Sequence, residues 1–94
     1  MPRYRFTIYS RSYCHLCDDM RDALAAAMDE ARGLAPADVG EYAIKMVDID
    51  AEPALLAQYD ELVPVLLAGK NDGQMVQLCH YFLDRERLSA FLAV

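Results

Sequence analysis

Tyr4, Phe6 and Ile8 alternate with Arg5, Thr7 and Tyr9, the two-residue period of a strand with one buried face. A polar, loop-like stretch from Ser10 to Tyr13 follows, and then the period changes. From Cys14 onward, Leu16, Met20, Leu24, Ala27, Met28 and Ala31 recur at steps of three and four, which predicts one apolar face of a helix. Asp18 and Asp19 fall in its first turn, where acidic side chains suit the helix dipole. Arg32 and Gly33 supply a basic last turn and a stop. Residues 34–40, with Pro36 among them, read as a connection.

Tyr42 to Ile49 predicts a second strand, and its near-continuous apolar content predicts burial on both faces. Asp50 is the expected N-cap of a short helix with Glu52 and Pro53 in its first turn and Leu55, Leu56 and Tyr59 turned inward. Residues 64–68 form a third strand, and Pro64 is tolerated at its first position because no ladder donor is needed there. Lys70-Asn71-Asp72-Gly73 carries turn chemistry, so the strand from Met75 to Cys79 should return as a hairpin. Asp84 can cap a last helix whose Leu88, Phe91 and Leu92 face the core. The order βαβαββα gives a parallel strand pair joined by a right-handed crossover, followed by an antiparallel pair. The expected fold class is α/β: a four-stranded mixed sheet flanked by helices, in one domain spanning residues 1–94.

Composition narrows the function classes. With 55% hydrophobic residues the chain can build a core, and no apolar run approaches the ~20 residues of a membrane span. Nine basic residues face fifteen acidic ones, a net charge of −6. Nucleic-acid affinity rests on neutralising phosphates, so an acidic chain without a basic stripe is a poor nucleic-acid binder, and anionic membranes are disfavoured for the same reason. The start, Met1-Pro2-Arg3-Tyr4-Arg5-Phe6, runs into mixed polar residues rather than an apolar signal stretch, so a cytoplasmic protein is expected. A monomer is the expected state.

The three cysteines are Cys14, Cys17 and Cys79, an odd and sparse set for a secreted disulfide scaffold. Cys14 and Cys17 lie three apart where the first strand gives way to the first helix. That spacing puts both side chains on one helix face, ~5–6 Å apart, and a small adjustment closes the gap to a disulfide. Cys14 falls at the helix entrance, where unpaired N–H groups and the positive dipole end favour a thiolate by ~1 kcal/mol, or ~2 kcal/mol when partly buried. Cys17 lies a turn further in and is the more shielded. Cys14 is therefore the expected nucleophile and Cys17 the resolving thiol of a disulfide exchange. An imidazolium at His15 would strengthen Cys14 and Asp18 would oppose it; a solvent-facing spacer is the alternative for His15.

Other readings of these residues stay open. Cys14 and Cys17 could be half of a zinc site completed by Cys79 and His80, but neighbours on a strand point to opposite sides, so no metal is expected. A metal or iron–sulfur carrier using the same two thiols is a further alternative. The pair could be inert in a module that only binds a partner protein. Cys79 reads as a small apolar filler. Asp48 reads as a solvated strand-end carboxylate rather than a buried proton relay.

At Ser10-Arg11-Ser12-Tyr13-Cys14-His15-Leu16-Cys17, joined later by Val63-Pro64, the chain resembles the glutaredoxins of the thioredoxin superfamily, in particular short bacterial glutaredoxin-like proteins. The resemblance covers nearly the whole chain and implies a thioredoxin-like fold, thiol–disulfide oxidoreductase activity and a part in cell redox homeostasis. It further implies that Val63-Pro64 is a cis bond facing the cysteines, that the Val63 backbone pairs with a bound thiol substrate, and that Arg11 meets a glutathione carboxylate. His15 and Leu16 depart from the proline and tyrosine usual between the cysteines. The glycine pair and acidic residues usual before the last helix are replaced by Cys79-His80-Tyr81-Phe82-Leu83-Asp84, where side chains obstruct close backbone approach. No bound cofactor is expected, glutathione is expected to be a weak co-substrate, and the partner class is a protein disulfide or a low-molecular-weight thiol.

Overall fold

The computed structural model describes residues 3–71 and 73–93, without the side chain of Asp38. The start of the chain at Met1 and Pro2, the turn residue Asp72 and Val94 lie outside the described residues. The elements are β1 (Tyr4–Ser10), α1 (His15–Leu34), α2 (Pro36–Val39), β2 (Tyr42–Asp48), a 3-10 turn (Ile49–Ala51), α3 (Pro53–Tyr59), β3 (Val65–Lys70), β4 (Val76–His80) and α4 (Arg85–Ala93). The strands form one mixed sheet in the order β2-β1-β3-β4. β1 pairs parallel with β2, from Tyr4 opposite Tyr42 to Ser10 opposite Asp48, and antiparallel with β3, from Tyr4 opposite Lys70 to Tyr9 opposite Val65. β3 and β4 make the antiparallel hairpin, irregular between Leu66 and Leu67. The architecture is thioredoxin-like.

The core lies on one face of this sheet. Tyr4, Phe6 and Ile8 of β1 are buried against Met20, Leu24, Ala27 and Met28 of α1 and Leu88 of α4. The edge of Phe91 meets Tyr4 and Phe6 at centroid distances of 6.0 and 6.4 Å. Asp84 closes the entrance of α4 by accepting from the Arg87 N–H at 3.1 Å.

Four expectations change. β2 is not buried on both faces. It is the outer strand, and its Ile44 and Met46 pack on the core while Ala43 and Lys45 are exposed; α3 is seven residues long, and its Tyr59 ring meets Tyr9 of the neighbouring β1 at 4.9 Å. The cap after β2 is Asp48, which accepts from the Asp50 N–H at 2.9 Å, so the chain makes a 3-10 turn there and α3 starts afresh at Pro53. Gly33 does not stop α1. The helix continues to Leu34, the Ala35 N–H bonds to Ala31 O, and Pro36 opens α2 in the stretch read as a bare connection. β4 runs from Val76 rather than Met75, whose sulfur instead lies over Gly69, where a β-carbon would come within 2.6 Å.

Tyr42 is half-buried, and its hydroxyl donates to Asp29 Oδ1 at 2.6 Å; this bond, followed by desolvation, raises the phenol above its ordinary pKa. The raised value means that the bond stabilises the fold below pH ~10 and that this contribution is lost as pH rises through the folded-state pKa. Tyr42→Phe is expected to cost roughly 0.5–1 kcal/mol in urea unfolding at neutral pH, with the gap from the parent closing above pH ~10.

Candidate redox site

β1 ends at Ser10, which is opposite Asp48 of β2, and the loop beyond it is fastened to the segment after β2. The Arg11 guanidinium makes an ion pair with Asp50, Nη2 to Oδ1 at 2.9 Å and Nε to the same oxygen at 3.1 Å. Ser12 Oγ donates to Asp48 Oδ2 at 3.5 Å, and Asp48 is an exposed carboxylate whose other oxygen caps the 3-10 turn. Tyr13, fully exposed and left-handed at φ 60°, turns the chain into α1.

Cys14 is the N-cap of α1. Its Sγ accepts the Cys17 N–H at 3.1 Å, a donor with no partner inside the helix. Cys14 and Cys17 are joined in a disulfide, with S–S 2.16 Å and Cα–Cα 5.3 Å. The two ends differ in access: Cys14 is half-buried, while Cys17 keeps 1% of its surface. His15 is exposed at the first helical position.

The other side of this sheet end is the approach to β3. The Val63–Pro64 bond is cis, with Pro64 buried and Val63 half-buried. Because Tyr9 pairs with Val65, Pro64 lies at the end of the sheet from which the loop to Cys14 departs. Among the described residues, no backbone hydrogen bond uses the N–H or C=O of Val63, whereas Pro64 O accepts from the Tyr81 N–H at 2.8 Å. Tyr81, left-handed at φ 64°, also donates through its hydroxyl to Glu61 O at 2.5 Å. The loop after β4 is thus tied to the loop before β3.

The structure does not bring Cys79 and His80 into a shared site with the cysteine pair. Cys79 is buried in the core beside Leu66, and desolvation is the main cause holding its thiol above the ordinary pKa, so it is a poor nucleophile. His80 points out and is exposed. Among the described residues no group of three or more His, Cys, Asp or Glu side chains could hold a metal. Asp50 as partner of Arg11 and Tyr81 as a left-handed clamp are features that strand and helix periods do not reveal; the missing glycines at 79–84 were the available signal for the second.

A family model described as glutaredoxin-like domain (DUF836) matches residues 5–93. The chain belongs to the glutaredoxin-like family. Among solved structures it is similar to a Nitrosomonas europaea protein (28% identity, 97% of this chain and 93% of that one, TM-score 0.73). An X. campestris protein is 35% identical over 94% of this chain and 95% of that one, with TM-score 0.57. Mitochondrial thioredoxin 3 of Saccharomyces cerevisiae, in its oxidized form, shares the fold at 16% identity, covering 99% of this chain and 79% of that one, with TM-score 0.61. No curated protein matches the sequence. This glutaredoxin-like chain therefore carries a C-x-x-C disulfide at the entrance of the first helix of a thioredoxin-like fold. Among the described residues no helix is long and apolar enough to cross a membrane.

Proposed function

We propose that this glutaredoxin-like protein is a thiol–disulfide oxidoreductase acting through Cys14 and Cys17. The observation that carries the reading is the asymmetry of the pair: Cys14 Sγ sits half-buried on a free helix N–H, while Cys17 is shielded behind it. In the reduced protein the Cys14 thiolate attacks one sulfur of a substrate disulfide and the other sulfur leaves as a thiolate. Cys17, deprotonated, then attacks Cys14 Sγ, releases the second substrate thiol and closes the Cys14–Cys17 bond. Two electrons pass from the dithiol to the substrate. The same steps reversed oxidise a substrate dithiol.

In this reading Val63 offers its free backbone groups to the substrate and Pro64 shapes that edge, while Arg11 and His15 face the approach. Substrates are protein disulfides or low-molecular-weight thiols, with glutathione a weak co-substrate, and the compartment is a reducing cytoplasm that returns the pair to dithiol. No resident cofactor enters the cycle.

The test is a single turnover. Protein reduced with dithiothreitol, then freed of it, is mixed with bis(2-hydroxyethyl) disulfide. Two protein thiols should be lost per molecule as two equivalents of mercaptoethanol appear, at a rate well above that of an unstructured dithiol peptide. Retention of both thiols over the same period would overturn the reading.

A further inference from the structure

A groove of about 290 Å3 opens between the first turns of α1, the helix that follows Cys14, and the segment that joins β4 to α4. Leu16, Met20 and Ala23 form its helix wall, and Phe82 and Leu83 form the other. Its size lies near the lower end of small-ligand pockets, ~300 Å3, enough for one large side chain. Leu16, in its wall, lies between the two cysteines in sequence, with only His15 between it and Cys14. Leu16 keeps 40% of its surface exposed and Phe82, on the facing wall, keeps 69%. Large apolar surface in a contiguous group is a mark of an interaction site.

The lip is held in place. Tyr81 is fixed at both ends, by its N–H on Pro64 O and its hydroxyl on Glu61 O, in a left-handed conformation that disfavours a residue with a β-carbon. This clamp sets Phe82, the next residue, out at the rim. The rim is also negative. Asp19 lines it and makes no ion pair among the described residues, while the rim cation Arg85 is bonded to Glu30 at 3.2 Å. The chain as a whole carries −6.

We infer that this groove selects the substrate: it takes a bulky apolar side chain of a disulfide-bearing polypeptide, with a neighbouring lysine or arginine meeting Asp19. The inference rests on the exchange reading above. A polypeptide fits because its cysteine sulfur can reach Cys14, its backbone can pair with the free groups of Val63, and a side chain nearby can fill the groove. A small anionic thiol would leave the groove empty and meet a negative rim.

The experiment uses pre-reduced protein and short peptides whose one cysteine is disulfide-linked to thionitrobenzoate. Cys14 Sγ attacks the peptide sulfur, the bond to thionitrobenzoate breaks, and the coloured thiolate leaves with the electron pair. Cys17 then displaces the peptide thiol. The residues beside the cysteine are varied as Phe-Lys, Phe-Glu, Ser-Lys and Ser-Glu, and rates are expressed relative to bis(2-hydroxyethyl) disulfide, which has no side chain to reach the groove. Phe should accelerate release about tenfold over Ser. Lys should add about threefold over Glu at low salt and lose it at high salt. Phe82→Ser should erase the Phe preference, and Asp19→Lys should reverse the charge preference. Equal rates for the four peptides, or a Phe preference that survives Phe82→Ser, would overturn the inference. If the small disulfide does not react, the exchange reading fails instead. Amide shifts of 15N-labelled protein on titration with a Ser-for-Cys Phe-Lys peptide then decide the groove alone: shifts at Leu16, Asp19 and Phe82 support it, and their absence rejects it.

Discussion

Cys14→Ser is expected to abolish disulfide exchange, while Cys17→Ser leaves a protein that reacts once and stays covalently bound to its substrate through Cys14. The first substitution removes the attacking thiolate, and loss of a nucleophile costs a thousandfold or more, roughly to background. Cys17 cannot stand in, because at 1% exposure it is closed to a substrate sulfur. The second substitution removes only the group that breaks the mixed disulfide, so the adduct accumulates. The helix N–H on Cys14 Sγ and the dipole end favour its thiolate by about 1 kcal/mol, which makes it moderately rather than extremely reactive. Mass spectrometry of each variant after exposure to a peptide disulfide reads the adduct directly. Alkylation of the reduced parent at neutral pH should label Cys14 first. Faster labelling of Cys17 would reverse the assignment.

The residues that made the fold legible are those whose spacing is dictated by one neighbour layer. Tyr4, Phe6 and Ile8 alternate because β1 sits in the middle of the sheet beneath α1, and the Met20–Leu24–Met28 stripe repeats because α1 lies on that strand. β2 misled because apolar residues on an outer strand look the same as on an inner one: Ala43 and Val47 face a side that the short α3 does not fully cover. The Asp50 cap was displaced by two residues because Asp48 and Asp50 are chemically equal, and only the path of the chain decides which carboxylate meets an N–H. The same geometry frees Asp50 to reach Arg11, a contact between residues thirty-nine apart that no local pattern encodes. The cysteine pair was legible because its chemistry is local: the spacing, the helix entrance and the sulfur-to-N–H bond all lie within four residues. The groove was visible only as three apolar residues, Tyr81, Phe82 and Leu83, where glycines were expected. Their direction depended on the left-handed turn at Tyr81.

Glutathione should be turned over at least tenfold more slowly than by an ordinary dithiol glutaredoxin. Two anchors for the tripeptide are compromised, one at each side of Cys14. Arg11 remains exposed enough to meet a carboxylate, but Asp50 already holds it through Nε and Nη2, and glutathione must compete with that carboxylate. An exposed pair of this kind is worth only about 0–1 kcal/mol, so the competition weakens the contact without removing it. The opposite side is more severe. The Tyr81 N–H is spent on Pro64 O and the Phe82 N–H on His80 O at 2.7 Å, so neither backbone donor is free for a second carboxylate. Losing one charged hydrogen-bonded contact costs about 1.5–3 kcal/mol, a tenfold to more than hundredfold fall in affinity. Substitutions at the first anchor should then act in opposite directions: Arg11→Ala lowers the residual rate a few-fold, and Asp50→Asn raises it by releasing the guanidinium. A deglutathionylation assay run beside a standard glutaredoxin reads all three proteins. Equal rates for the parent and the standard, with no response to Arg11→Ala, would mean that the tripeptide is held by groups other than these.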